Sequence, residues 1–127
     1  MTEAELTLVD ARAQVKASLE GMESDIAFSV RQSCPREPAE GVVITYGEYD
    51  NRSTDCPVVD EIEYQVDIWA FDRETATTLA NLVNRAMLGI GLKRTYMGPD
   101  TVENSKYERK TLRFGRRVDK RSMRLIN

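Results

Sequence analysis

Apolar residues recur at three- and four-residue steps near the start of the chain, at Leu8, Ala11, Val15, Leu19 and Met22. That spacing is one stripe of an amphipathic helix. Thr2 and Glu5 stand at capping-box spacing, in which hydroxyl and carboxylate each satisfy a backbone N–H of the first turn. The two signals predict a helix over roughly residues 3 to 20, closed by Gly21. Ile26, Phe28 and Val30 then alternate with small residues, which predicts a short strand. Two prolines and a glycine between Arg31 and Gly41 read as a connection, and the β-branched run Val42 to Tyr46 as the next strand.

Gly47 to Val59 is rich in Asp, Asn, Ser and Thr without periodicity, the composition of a long exposed loop. The cleanest alternation in the chain follows. Ile62, Tyr64, Val66, Ile68 and Ala70 fall on one face of a strand, and Glu61, Glu63, Gln65, Asp67 and Trp69 on the other, so one face is expected in the core and the other mostly wet. Asp72 is placed to cap a second helix. Its stripe is Ala76, Leu79, Ala80, Val83, Met87 and Ile90, and it stops at Gly89 and Gly91. A strand from Leu92 to Met97, a turn at Gly98-Pro99-Asp100 and a last strand from Tyr107 to Arg117 complete the pattern, with Gly115 marking a bulge. Asp119 to Asn127 mixes basic and apolar residues and leaves helix, strand and extended basic tail all open.

The order is helix, three strands, helix, two strands. Two amphipathic helices on one face of such a sheet make a two-layer α+β domain. The expected sheet is mostly antiparallel, with about five strands. At 127 residues the chain is expected to form one domain, residues 1–127.

Charge changes this picture more than composition does. Eighteen basic and twenty-one acidic residues give a net charge of −3, but the balance is uneven along the chain. Residues 1–92 carry 7 basic and 17 acidic side chains, net −10, and residues 93–127 carry 11 and 4, net +7. So polarised a chain has a partner for its basic end: nucleic acid, an anionic surface, its own acidic portion, or that of another copy. The acidic start MTEAEL and the lack of a membrane-length apolar run predict a soluble protein that stays in the cytoplasm.

Candidate chemistry is sparse. There is no histidine, so dyads and triads built on imidazole are excluded, as are most catalytic zinc sites. Cys34 and Cys56 each precede a proline and read as two reduced thiols, with a disulfide between them as the alternative. Gly89-Ile90-Gly91 follows a helix instead of opening one, so it is a terminator and not a phosphate loop. Glu61, Glu63 and Asp67 share a strand face at two- and four-residue steps, successive side chains roughly 7 and 14 Å apart at a rise of ~3.4 Å per residue. They form an acidic contact face, or less plausibly an acid–base pair or cation site. The basic set Arg113, Arg116, Arg117, Lys120 and Arg121, within a segment that also holds Arg109, Lys110 and Arg124, is accompanied by only Tyr107 and Phe114, and Phe114 reads as core, where nucleic-acid modules interleave exposed aromatics. It is read as a protein contact surface, with nucleic acid second. Trp69 ends the acidic strand face and is a candidate interface anchor. No catalytic residue, metal ligand or cofactor site is expected.

The stretch Glu63-Tyr64-Gln65-Val66-Asp67-Ile68-Trp69-Ala70, leading into the helix with Ala76, Leu79, Ala80 and Val83, resembles the tail completion or tail terminator proteins of long-tailed bacteriophages. Tyr107-Glu108-Arg109 and Leu112-Arg113-Phe114 fit that family's late strand, and the opening helix and element order also match. The basic segment after Gly115 departs from the more apolar strand ending expected there. The resemblance implies a structural virion protein at the head–tail junction: a six-fold ring of identical subunits that caps the tail tube, stops its polymerisation and docks the head connector, with DNA passing through unrecognised. Its partners would be itself, the tail tube protein and the head connector, with no cofactor and no chemical step. A small nucleic-acid-binding α+β domain is the alternative.

Overall fold

A computed structural model describes residues 1–32, 38, 40–100, 106–122 and 124–126. Its elements are α1 (Glu3–Leu6), α2 (Arg12–Glu20), β1 (Ser29–Gln32), β2 (Val43–Ser53), β3 (Val59–Ala70), α3 (Arg73–Gly89), β4 (Lys93–Asp100), β5 (Glu108–Asp119) and β6 (Arg124–Ile126). The strands form one sheet in the order β1-β2-β3-β5-β4, and β6 pairs with the end of β5. β1 runs parallel to β2; the other pairings are antiparallel. This is the expected α+β order, with α1 and β6 as short additions.

Helices α2 and α3 share a core with one sheet face. Val15 and Leu19 of α2 and Leu79, Val83 and Met87 of α3 bury against Ile44, Tyr46, Ile62, Tyr64, Val66, Ile68, Leu112 and Phe114. Each strand contributes alternate residues to this layer, as the pleat requires. α2 lies over β1 and β2, while α3 lies over β3, β5 and β4. Among the described residues no helix is long and apolar enough to cross a membrane.

The first predicted helix is interrupted. The capping box forms, with Glu5 N–H donating to Thr2 Oγ1 and Thr2 N–H to Glu5 Oε2, but α1 ends at Leu6. Two competing bonds account for the break. The Asp10 carboxylate accepts from Arg12 N–H two residues on, a local alternative to helix. Ala11 N–H donates to the Tyr64 hydroxyl at 2.8 Å, and Val9 enters the core in place of Leu8, which is exposed.

The predicted loop from Gly47 to Val59 is instead a hairpin. β2 continues to Ser53, paired residue by residue with β3, and only the Thr54–Val58 segment turns. Gly98-Pro99-Asp100 is strand as well, on the sheet edge, where a proline costs no ladder bond. Gly115 is not a bulge. It pairs in register with Glu63 and Lys93, and glycine is required there because a Cβ would sit 2.9 Å from the Ile62 carbonyl. The bulges lie at Tyr49 in β2 and Thr95 in β4. β1 starts at Ser29 instead of Ile26. The C-terminal segment contains β6, so part of the open tail is strand. Cys56 is a free, exposed thiol; Cys34, and any disulfide to it, lies outside the described residues.

Candidate functional site

The sheet face without helices was expected to be mostly wet, yet Gln65, Asp67 and Trp69 are buried on it, and Trp69 is 1% exposed. Side chains from the neighbouring strands cover them. The Arg109 guanidinium lies 4.7 Å over the Trp69 ring, and Tyr107 meets the indole edge-on at 6.1 Å. Trp69 Nε1–H donates to Thr45 Oγ1 at 3.1 Å, so the indole anchors its own domain.

Three arginines at four-residue steps on β5 repeat one arrangement. Each uses Nε–H to bond a residue of β3 beside it: Arg109 to Asp67 at 3.0 Å, Arg113 to Gln65 at 3.0 Å and Arg117 to Glu61 at 2.9 Å. Asp67 also accepts from Thr111 Oγ1 at 2.6 Å and from Gln65 Nε2 at 3.0 Å. Glu61 further accepts from Arg52 Nε–H at 3.0 Å. The Arg52 and Arg117 guanidiniums, in that order, hold the Glu61 carboxyl below the ordinary value of 4.5. Thr95 reaches over Gly115 and donates its hydroxyl to Glu63.

The acidic residues Glu61, Glu63 and Asp67 and the basic Arg113 and Arg117 are therefore brought together, but within one chain and on adjacent strands. Of the four partners open to the basic end, its own acidic portion takes up Arg117 and Arg109. The other basic candidates are dispersed. Arg116 points to the opposite face of β5 from Arg117. Lys120 is not on the surface: it is 8% exposed, with Nζ 3.5 Å from Asp60 and donating to the Glu5 carbonyl at 3.1 Å, and it ties the N-terminal turn to the sheet. Arg121 is exposed and paired with its own neighbour Asp119.

Sequence reasoning missed two tyrosines. At the centre of the face, the Arg113 guanidinium lies 4.0 Å from the Tyr49 ring and 4.8 Å from the Tyr96 ring. Tyr49 is the bulged residue of β2, and Tyr96 follows the bulge at Thr95 in β4. Each bulge breaks the alternation, so that two consecutive residues share the helix-free face and a ring is aimed at Arg113. An aromatic inside an otherwise polar run, as Tyr49 is, was the available sign that the run was strand.

The two flanks of the sheet also differ. Beside β1, the end of α2 and the segment after it expose Glu20, Glu23 and Asp25; Arg31 on β1 leaves that flank net acidic. At the other edge, β4 exposes Lys93 and Arg94. Among the described residues none of Glu20, Glu23, Asp25, Lys93 and Arg94 has an ion-pair partner. Comparison with protein-family models finds no match, and no curated protein is similar to the chain at a significant level.

Proposed function

We propose that the chain is the subunit of a closed ring that caps a phage-type tail tube, ends its polymerisation and joins it to the head connector, acting through surface complementarity with no chemical step. The observation that carries this reading is the pair of oppositely charged flanks. In a sheet ordered β1-β2-β3-β5-β4, carboxylates beside β1 and cations on β4, unpaired among the described residues, lie at opposite ends of the strand order. Such a subunit meets its neighbour head to tail, and heterologous contacts of this kind close into a ring when the rotation per subunit permits. The resemblance of the β3–α3 and β5 sequences to tail terminators supports reading that ring as six-fold and at the end of a tail tube. Edge strand β4 also has the devices that keep such an edge from pairing at random: a bulge, Pro99 and two cations.

Sedimentation velocity with electron microscopy tests the reading. The native chain is expected to form rings as concentration rises, more weakly at high salt. Lys93→Glu with Arg94→Glu is expected to stay monomeric with an unchanged thermal midpoint, because both side chains are exposed and unpaired. A native protein that is monomeric at every concentration and on tail tubes, while binding oligonucleotides, would make the nucleic-acid alternative the correct one.

A further inference from the structure

Arg113 differs from the arginines on either side of it in one respect that matters chemically. Arg109 and Arg117 bond carboxylates, but the Nε–H of Arg113 bonds the neutral Gln65 amide oxygen. Its positive charge is left uncompensated, and its terminal NH2 groups have no acceptor among the described residues. The guanidinium is half-buried and held between two tyrosine rings that are themselves 51% and 44% exposed. Four adjacent strands build this arrangement, with Tyr49 from β2, Gln65 from β3, Arg113 from β5 and Tyr96 from β4. A guanidinium fixed in orientation offers a planar fork that fits one carboxylate with two parallel bonds. Arginine and tyrosine around a partly desolvated centre are also the residues that dominate protein interfaces.

We infer that the Tyr49–Arg113–Tyr96 clamp is the docking point for a carboxylate of a second copy, supplied by Glu20, Glu23 or Asp25 on that copy's α2–β1 flank; this rests on the ring reading above. Three features favour this occupant. On the same face the other arginines alternate with the carboxylates they bond, Arg52 and Arg117 with Glu61 and Arg109 with Asp67, so there is no continuous basic track for a polyanionic backbone, whereas a single carboxylate can be met by Arg113. The clamp is continuous with the basic flank, because Arg113 lies one strand in from the β4 edge and pairs with Tyr96. Finally, Glu20, Glu23 and Asp25 are three exposed carboxylates within six residues, unpaired among the described residues and on the flank that a head-to-tail neighbour would bring to that edge.

A charge-swap experiment tests the pairing. Arg113→Glu alone, and Glu23→Arg with Asp25→Arg alone, are each expected to lose self-association in sedimentation velocity while keeping their circular dichroism. Mixed in equal amounts they should associate again. Every contact in an alternating ring then joins either the native pair or its reversed form, and a six-membered ring closes with both. Arg113→Gln keeps a donor for Gln65 without the charge; it is expected to associate at least ~10-fold more weakly while keeping its circular dichroism, and it carries the test if Arg113→Glu does not fold. Native-strength association of the Arg113 variants overturns this inference and leaves the ring reading standing. So does a mixture that stays monomeric, or an Arg113 variant that self-associates normally but no longer binds isolated tail tubes. A native chain that never self-associates removes the ring reading and the clamp's occupant together.

Discussion

Asp67 collects three donors, from Arg109, Thr111 and Gln65, at 2% exposure. A carboxylate taken out of water is tolerated only when its lone pairs are filled in this way. Removing it takes away, at once, the acceptor shared by a guanidinium that is 13% exposed, a hydroxyl and an amide. Asp67→Ala is therefore expected to cost about 3–5 kcal/mol in urea denaturation. The double variant Asp67→Leu with Arg109→Met should lose clearly less than the sum of its single changes, since replacing both partners with apolar groups leaves neither half of this ion pair behind. A loss below about 1 kcal/mol for Asp67→Ala would place the pair among surface ion pairs and contradict its burial. The same residue shows why the helix-free face misled the sequence reading. Carboxylate, amide and indole alternate there as on a wet face, and nothing local reveals that neighbouring arginines and tyrosines close over them.

At the scale of elements, α3 is the one whose limits local chemistry settles. Asp72 accepts from Thr75 N–H at 2.7 Å and from Thr75 Oγ1 at 3.0 Å, and the stripe from Ala76 to Met87 buries as its spacing required. Asp72→Ala is expected to lower stability by about 1 kcal/mol, read as a shift in the urea midpoint at unchanged slope. β3 was legible for the same reason, because strict alternation has a single solution. The second half of β2 was not. Its residues Glu48 to Ser53 are polar because they lie beyond the reach of the helices, and they are strand only because β3 offers them a ladder 7 to 16 positions away in sequence, from Ser53↔Asp60 to Glu48↔Tyr64. Bulges escape for a related reason: one extra residue shifts the phase of the alternation, so β4 with its bulge and Pro99 resembled a strand followed by a turn. The break after α1 depended on Tyr64 and Asn51, which reach the Val9–Ala11 segment from distant strands. The oppositely charged halves were plain in the sequence, but the three-dimensional pairing that neutralises Glu61 with Arg117 and Asp67 with Arg109 was not, so the flanks that remain unpaired among the described residues became visible only in the fold.

For the molecule as a whole, these pairs set how stability depends on pH. Hydrogen bonds from the Arg12 side chain and then from its backbone N–H lower the Asp10 carboxyl from 3.8 to about 2. Arg52 and then Arg117 hold Glu61 below 4.5, Arg121 holds Asp119 below 3.8, and the Thr75 backbone N–H followed by its hydroxyl holds Asp72 below 3.8. All four shifts run in the same direction, so the unfolded chain binds protons before the folded one does. The stabilisation is complete above the ordinary carboxylate values and is lost as pH falls through the lowered ones. The thermal midpoint is therefore expected to hold steady at neutral pH and to drop progressively from pH 4.5 toward about 2. These carboxylates are exposed, so salt should shrink the part of the drop that comes from ion pairs and leave the part that comes from the Asp72 cap. Asp10→Asn should flatten the low end of the profile and Glu61→Gln its upper end, measured by thermal melts across that window. A rise in midpoint on acidification would show that repulsion within the acidic α2–β1 flank outweighs the intrachain pairs, and that holding those charges on one flank costs the chain more than its pairs offset.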